Sequence, residues 1–202
     1  GNGSFGWCSS LVSVTLPESV TKIESHAFDS CSSLVSVTIP NGVTEIASRA
    51  FWDCSSLATV EIPEGVATIG DSAFAGCSSL VSVTIPKGVT IIDFYTFSRC
   101  SSLVTVTLPE GVTEIADGAF SGCSSLLSAS LPRSLFFLGE EVFAHCVSLV
   151  SVTFPSPVEE LGTIPLGTFS NCSSLVVFNV PEGIREIRDS AFLGCHSLVA
   201  AV

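Results

Sequence analysis

Cys100 to Gly122 reads CSSLVTVTLPEGVTEIADGAFSG, and this stretch repeats along the whole chain. Leu103, Val106 and Leu108 set an L-x-x-L-x-L spacing, with Val104, Thr105 and Thr107 between them. Alternation of apolar and small polar residues predicts a half-buried strand. Pro109 stops it, because proline lacks the N–H that a ladder needs. Gly111 suits a turn. Val112 and Ile115 are predicted to turn inward again, through a short second strand or helical turn. Ala119 and Phe120 close the circuit, and the ring is the largest core filler of the unit.

Working outward, the same unit recurs from end to end. Cysteines stand at Cys8, Cys31, Cys54, Cys77, Cys100, Cys123, Cys146, Cys172 and Cys195, at intervals of 23 residues except for the 26 before Cys172. A phenylalanine precedes each by three residues, and a leucine follows each by three. A fixed period of this length marks a solenoid. Stacked coils place like residues above like, about 4.8 Å apart, so nearly nine coils extend about 40 Å. Residues 1–202 read as a single array. Its ends fall inside a repeat and carry no polar cap of the kind that closes solenoids, so a fragment of a longer protein is expected.

Composition excludes several classes. The chain is 47% hydrophobic and 13% charged, which is not the balance of a disordered tail. A net charge of −12 argues against nucleic acid, which needs clustered Lys and Arg. No apolar run approaches the roughly 18 to 20 residues of a membrane span.

These residues carry a family resemblance. The 23-residue form with L-x-x-[VI]-x-[IL]-P, then V-x-x-I, then A-F-x-x-C resembles the BspA-like, or Treponema pallidum-type, class of leucine-rich repeats. The resemblance implies a right-handed, curved solenoid of about nine coils. It implies a parallel β-sheet on the concave side, with short strands, turns or 3-10 segments opposite. It further implies a non-catalytic role in binding proteins, as a scaffold, with surface adhesion common in the family. The compartment would then be the cell surface by analogy, or the interior of a cell within a complex. A purely structural subunit of a larger assembly is the alternative from another class.

The cysteines read as structure. Zinc sites need converging sets of ligands, and disulfides need Cβ vectors aimed at each other. One cysteine per coil, in a column of odd count, offers neither. A ladder of buried thiols beside the phenylalanines is the expectation, with no cofactor or metal. Gly1, Gly3 and Gly6 match G-x-G-x-x-G but lack the preceding strand and following helix of a dinucleotide site. His26, His145 and His196 occupy three different positions of the unit, so repetition gathers no catalytic set. Acids after the proline (Glu18, Glu64, Glu110, Glu182) and at Glu45, Glu114, Glu160 and Glu186 are expected along the edges, as a solvated rim.

Two surfaces remain as candidates. The concave face should display Ser36, Thr38, Thr59, Glu61, Ser82, Thr84, Thr105 and Thr107, an almost uncharged field. Regular threonines also raise ice binding, which a curved sheet fits poorly. The second candidate is made of departures from the repeat. Phe94 and Tyr95 stand where most coils carry polar or small residues. Phe136 and Phe137 replace the usual Thr-x pair. The three-residue insertion is expected within Leu161–Leu166, which adds Ile164 and Leu166. Insertions in solenoids map to surface loops, and exposed aromatics mark contact sites. Phe94, Tyr95, Phe136, Phe137, Ile164 and Leu166 are therefore the expected partner-binding residues.

Overall fold

The structure is a computed structural model that describes residues 1–155, 158 and 161–201. Its strands are β1 (Ser13–Thr15), β2 (Lys22–Ile23), β3 (Ser36–Thr38), β4 (Glu45–Ile46), β5 (Thr59–Glu61), β6 (Thr68–Ile69), β7 (Ser82–Thr84), β8 (Ile91–Ile92), β9 (Thr105–Thr107), β10 (Glu114–Ile115), β11 (Ser128–Ser130), β12 (Phe137–Leu138), β13 (Ser151–Thr153), β14 (Thr163–Ile164), β15 (Val177–Phe178), β16 (Glu186–Ile187) and β17 (Ala200–Ala201). Odd-numbered strands stack on one side of the solenoid and even-numbered strands on another. Every pairing is parallel and joins equivalent residues of consecutive coils, as Ser36↔Thr59 and Glu114↔Phe137 do. The long-strand ladder is interrupted between β5 and β7, β9 and β11, and β13 and β15. The short-strand ladder is interrupted between β6 and β8 and between β12 and β14. No helix occurs among the described residues, so the rest of each coil is turn.

Those turns are as regular as the strands. In one coil His26, Phe28 and Ser30 donate backbone N–H groups to Ser48, Ala50 and Trp52 of the next, at 3.1, 2.8 and 2.7 Å. The residues between them, Ala27, Asp29 and Cys31, donate to carbonyls three positions back at 3.1 to 3.2 Å. This alternation satisfies the backbone of a segment that is neither helix nor sheet. It also forces a left-handed residue five positions and one position before each cysteine. Arg49 and Asp53, Tyr95 and Arg99, and Gly118 and Gly122 are examples, with φ between 51° and 76°. For a non-glycine residue that conformation costs about 1–2 kcal/mol, and here the stacked hydrogen bonds enforce it.

Inside, the phenylalanines form a column. Consecutive rings from Phe5 to Phe169 lie 5.2 to 5.8 Å apart and within 8° of parallel. From Phe28 to Phe169 they are fully buried. Beside them runs the cysteine column, buried from Cys31 to Cys172 as expected from the spacing. The structure adds a role. Each Sγ–H from Cys31 onward donates to the carbonyl of the preceding coil's phenylalanine at 3.0 to 3.2 Å. That carbonyl already accepts the N–H of its own coil's cysteine, as Phe51 does from Cys54 at 3.2 Å. The thiol therefore fills the second lone pair of a buried carbonyl. Serines that follow the cysteine extend the idea, Ser78 Oγ donating to the Ser55 carbonyl at 3.2 Å and Ser101 to Ser78 at 3.3 Å.

Candidate interaction surfaces

All eight predicted residues of the long-strand face, from Ser36 to Thr107, are exposed. The pairing register sets them in columns, Ser36–Thr59 and Thr38–Glu61 in one sheet, Ser82–Thr105 and Thr84–Thr107 in another. A third exposed column was not anticipated. Val12, Val35, Val81, Leu127, Val150 and Val176 stand just before these strands and are also exposed. The sequence signal was there: an apolar residue four positions after every cysteine, valine in most coils, repeated too faithfully for a loop. Around Thr59, Glu61, Ser82 and Thr84 the face dips into a cavity of about 340 Å³.

The short-strand side carries the irregular residues. Phe94, Tyr95, Phe136 and Phe137 retain 47, 46, 48 and 44% of their surface in solvent. Ile91 joins them, since it pairs with Glu114, which pairs in turn with Phe137. Tyr95 is in a left-handed turn position, and its ring lies over Gly118 of the next coil, where a Cβ would collide with it. Phe94 and Leu166 occupy one column, the position filled elsewhere by Ser48, Asp71, Asp117 and Glu140. Leu166 is half-buried.

Ile164 is a correction. It lies in β14, pairs with Ile187 and has 0% of its surface exposed. The insertion therefore precedes Leu161 instead of spanning Leu161–Leu166. Leu161 and Ile164 are the inward pair equivalent to Val112 and Ile115, and Arg185 donates to the Gly162 carbonyl as Thr113 does to Thr90. Counting back from Cys172 gives the same answer, because Ile164 and Ile115 each stand eight residues before a cysteine. The extra residues fall between Pro155 and Leu161, where the described Val158 is buried. Glu160, expected on the acidic edge, lies outside the described residues.

Where the insertion enters, the short-strand ladder stops at β12 and restarts at β14. The gap is a cavity of about 450 Å³ lined by Phe136, Phe137, Leu138 and Gly139 on one side and Leu161, Thr163, Pro165 and Arg188 on the other, with Asp117 and Glu140 at its rim. Glu140 donates its N–H to Asp117 Oδ1 at 2.9 Å. Arg188 Nε is 3.7 Å from Glu186 Oε2.

The acidic edges are interleaved, not continuous. After the proline, Glu18, Glu64 and Glu110 alternate with Asn41, Lys87 and Arg133. Arg133 donates its N–H to Glu110 Oε2 at 3.1 Å, and Lys22 Nζ is 3.0 Å from Glu45 Oε1. No metal-holding group of acids, histidines and cysteines occurs among the described residues. One polar cluster escaped sequence reading. Buried Asp29 meets His26 Nδ1 and Ser30 Oγ, each at 2.7 Å. The serine donates to the carboxylate and not to the imidazole, so no nucleophile is activated. The column thiols are equally unsuited to chemistry, since burial pushes Cys54, Cys100 and Cys146 up to about 12.

The BspA-type leucine-rich repeat region matches in 6 copies, over residues 1–115 and 67–199. The chain belongs to this family. Its structure is similar to the leucine-rich repeat protein of Treponema pallidum, at 42% identity and a TM-score of 0.70, over 73% of this chain and 69% of that one. A leucine-rich cell surface protein of Faecalibacterium prausnitzii shares 28% identity with a TM-score of 0.51, over 93% and 72% of the two chains. A leucine-rich repeat protein of Bacteroides ovatus, at 24% identity and TM-score 0.66 over 98% and 80%, supports the fold. No curated protein matches the chain. BspA-type repeats are generally protein-interaction or surface-antigen modules without catalytic activity, and no helix here is long and apolar enough to cross a membrane.

Proposed function

We propose that this array is a non-catalytic module that binds another protein through the short-strand side, at Phe94, Tyr95, Phe136, Phe137 and Leu166. One observation carries the reading: four aromatic rings stay nearly half exposed at positions that most other coils fill with small or polar residues. Exposed aromatics are the usual anchors of an interface, and two of these, Phe136 and Phe137, also line a cavity. The long-strand face, with Glu61 and its threonines, is a second surface of the same module and accounts less well for the departures.

The test is a protein array probed with the wild-type chain and with the variant carrying Phe94→Ala, Tyr95→Ala, Phe136→Ala and Phe137→Ala. Hot-spot rings are worth about 2 kcal/mol each, so bound proteins should lose more than about 100-fold in affinity. Hits that bind the quadruple variant as well as the wild type refute the reading.

Display on a cell surface is supported by the Faecalibacterium prausnitzii relative, a cell surface protein. Labelling of intact cells with an impermeant amine reagent should then modify the protein. Labelling only after lysis counts against it.

A further inference from the structure

We infer that the cavity between β12 and β14 receives an arginine side chain of the partner. This rests on the reading above and names the chemistry of its centre. The cavity falls within the range of about 300–1,000 Å³ typical of ligand pockets. Two exposed phenyl rings, Phe136 and Phe137, form one wall. Asp117 and Glu140 stand at the rim, and neither is in an ion pair among the described residues. The Glu140 N–H fixes the Asp117 carboxylate against the rim. The one cation of the lining, Arg188, is turned to Glu186.

An arginine matches each part. Its planar guanidinium stacks on aromatic faces and pairs with carboxylates, while its methylene stem lies along apolar surface. The ring wall alone would accept any apolar side chain. The unpaired carboxylates discriminate against one, since closing it over them removes their water without a partner. Charge acts at longer range too. The pairing register puts Glu114 beside Phe137, and the chain carries a net charge of −12, so a basic segment is drawn to this side.

The probe is a pentapeptide of alternating glycine and arginine, titrated into the isotopically labelled chain at about 0.15 M salt and followed by amide chemical shifts. Its control is the same peptide with citrulline, which keeps the shape and removes the charge. Saturable shifts at Gly139 and Glu140 are expected with arginine and none with citrulline. Asp117→Asn with Glu140→Gln should weaken binding about tenfold, as should Phe136→Leu with Phe137→Leu. Glu18→Gln with Glu64→Gln removes as much charge from a remote edge and should change affinity less than about twofold. Equal binding of the citrulline peptide, equal loss in the remote variant, or no shift at all overturns the inference. If protein partners still depend on the rings while the arginine peptide does not bind, only the arginine chemistry falls. If the partners ignore the rings, the interaction surface falls with it.

Discussion

Raising the pH should unfold this array abruptly, and the cysteine column is the reason. Cys54, Cys77, Cys100, Cys123, Cys146 and Cys172 are fully buried. Burial lifts all six thiols, three of them to about 12. In the unfolded chain a thiol titrates near its ordinary value of about 8.5. Below that value both states hold the proton, so the column contributes no pH dependence. Above it the unfolded chain releases protons that the folded chain keeps, and stability falls as pH rises. Each pH unit then costs about 1.4 kcal/mol per thiol, or about 8 kcal/mol for six. A fold worth about 5–15 kcal/mol is exhausted within one to two units. Unfolding is expected between about pH 9.5 and 10.5, well before any buried thiol titrates in place.

Urea unfolding followed by circular dichroism, in a phosphine reductant from pH 6 to 11, measures this directly. Stability should be flat to about pH 8 and then fall steeply. Cys77→Ala with Cys123→Ala isolates the cause. The pair should cost about 1–2 kcal/mol per site at pH 7, from the small cavity and the lost S–H donor, yet reduce the alkaline slope by about a third. Repulsion among the acids acts on the variant and the wild type alike. The chain has one tyrosine, so few other groups compete in this range. An unchanged slope in the variant, or stability that is flat to pH 11, refutes the argument.

Three further outcomes follow from the geometry. Ile164→Ala should lower stability by about 2–4 kcal/mol and Leu166→Ala by less than about 1, read from urea midpoints; equal losses would contradict the register of β14. Gly118→Ala adds a methyl group where the Tyr95 ring lies, at a left-handed φ of 61°, and should cost about 1–3 kcal/mol. Tyr95→Ser in the same chain should recover the steric part, which a double-mutant cycle would show as coupling. The Asp53–Arg99 pair spans two coils at 3.2 Å but is solvent-exposed, so Arg99→Ala should change stability by under about 0.5 kcal/mol.

The period told most of the fold because each coil packs mainly against its neighbours. Residues 23 apart must then superpose, and the inward places of Leu103, Val112, Ile115 and Phe120 follow from one unit. Two things were harder to read. The interval between cysteines gives the length of the coil before Cys172 but not where its surplus sits. Only the second anchor, Leu161-x-x-Ile164 counted back from Cys172, places it before Leu161. Backbone handedness left almost no trace. The left-handed turn positions hold Gly118 and Gly122 in one coil but Tyr95 and Arg99 in another, because the stacked hydrogen bonds tolerate either. Nor could spacing bring His26, Asp29 and Ser30 onto one carboxylate, since that depends on the turn closing.

The candidate site owes more to the broken ladder than to the aromatic residues that drew attention to it. In an unbroken ladder equivalent side chains stack about 4.8 Å apart, which leaves no room for a partner's side chain between coils. The rings at Phe136 and Phe137 would then be a flat apolar patch. Between β12 and β14 the ladder is interrupted, and the rings instead wall a cavity. Gly139 keeps the rim tight, because a Cβ there would strike the Ala116–Asp117 backbone and push the Asp117 carboxylate away. A recess opens where a ladder is interrupted, as the cavity around Thr59, Glu61, Ser82 and Thr84 between β5 and β7 also shows. In this chain the interruption between β12 and β14 lies directly beside Phe136 and Phe137, so the recess opens against two of the four aromatic substitutions.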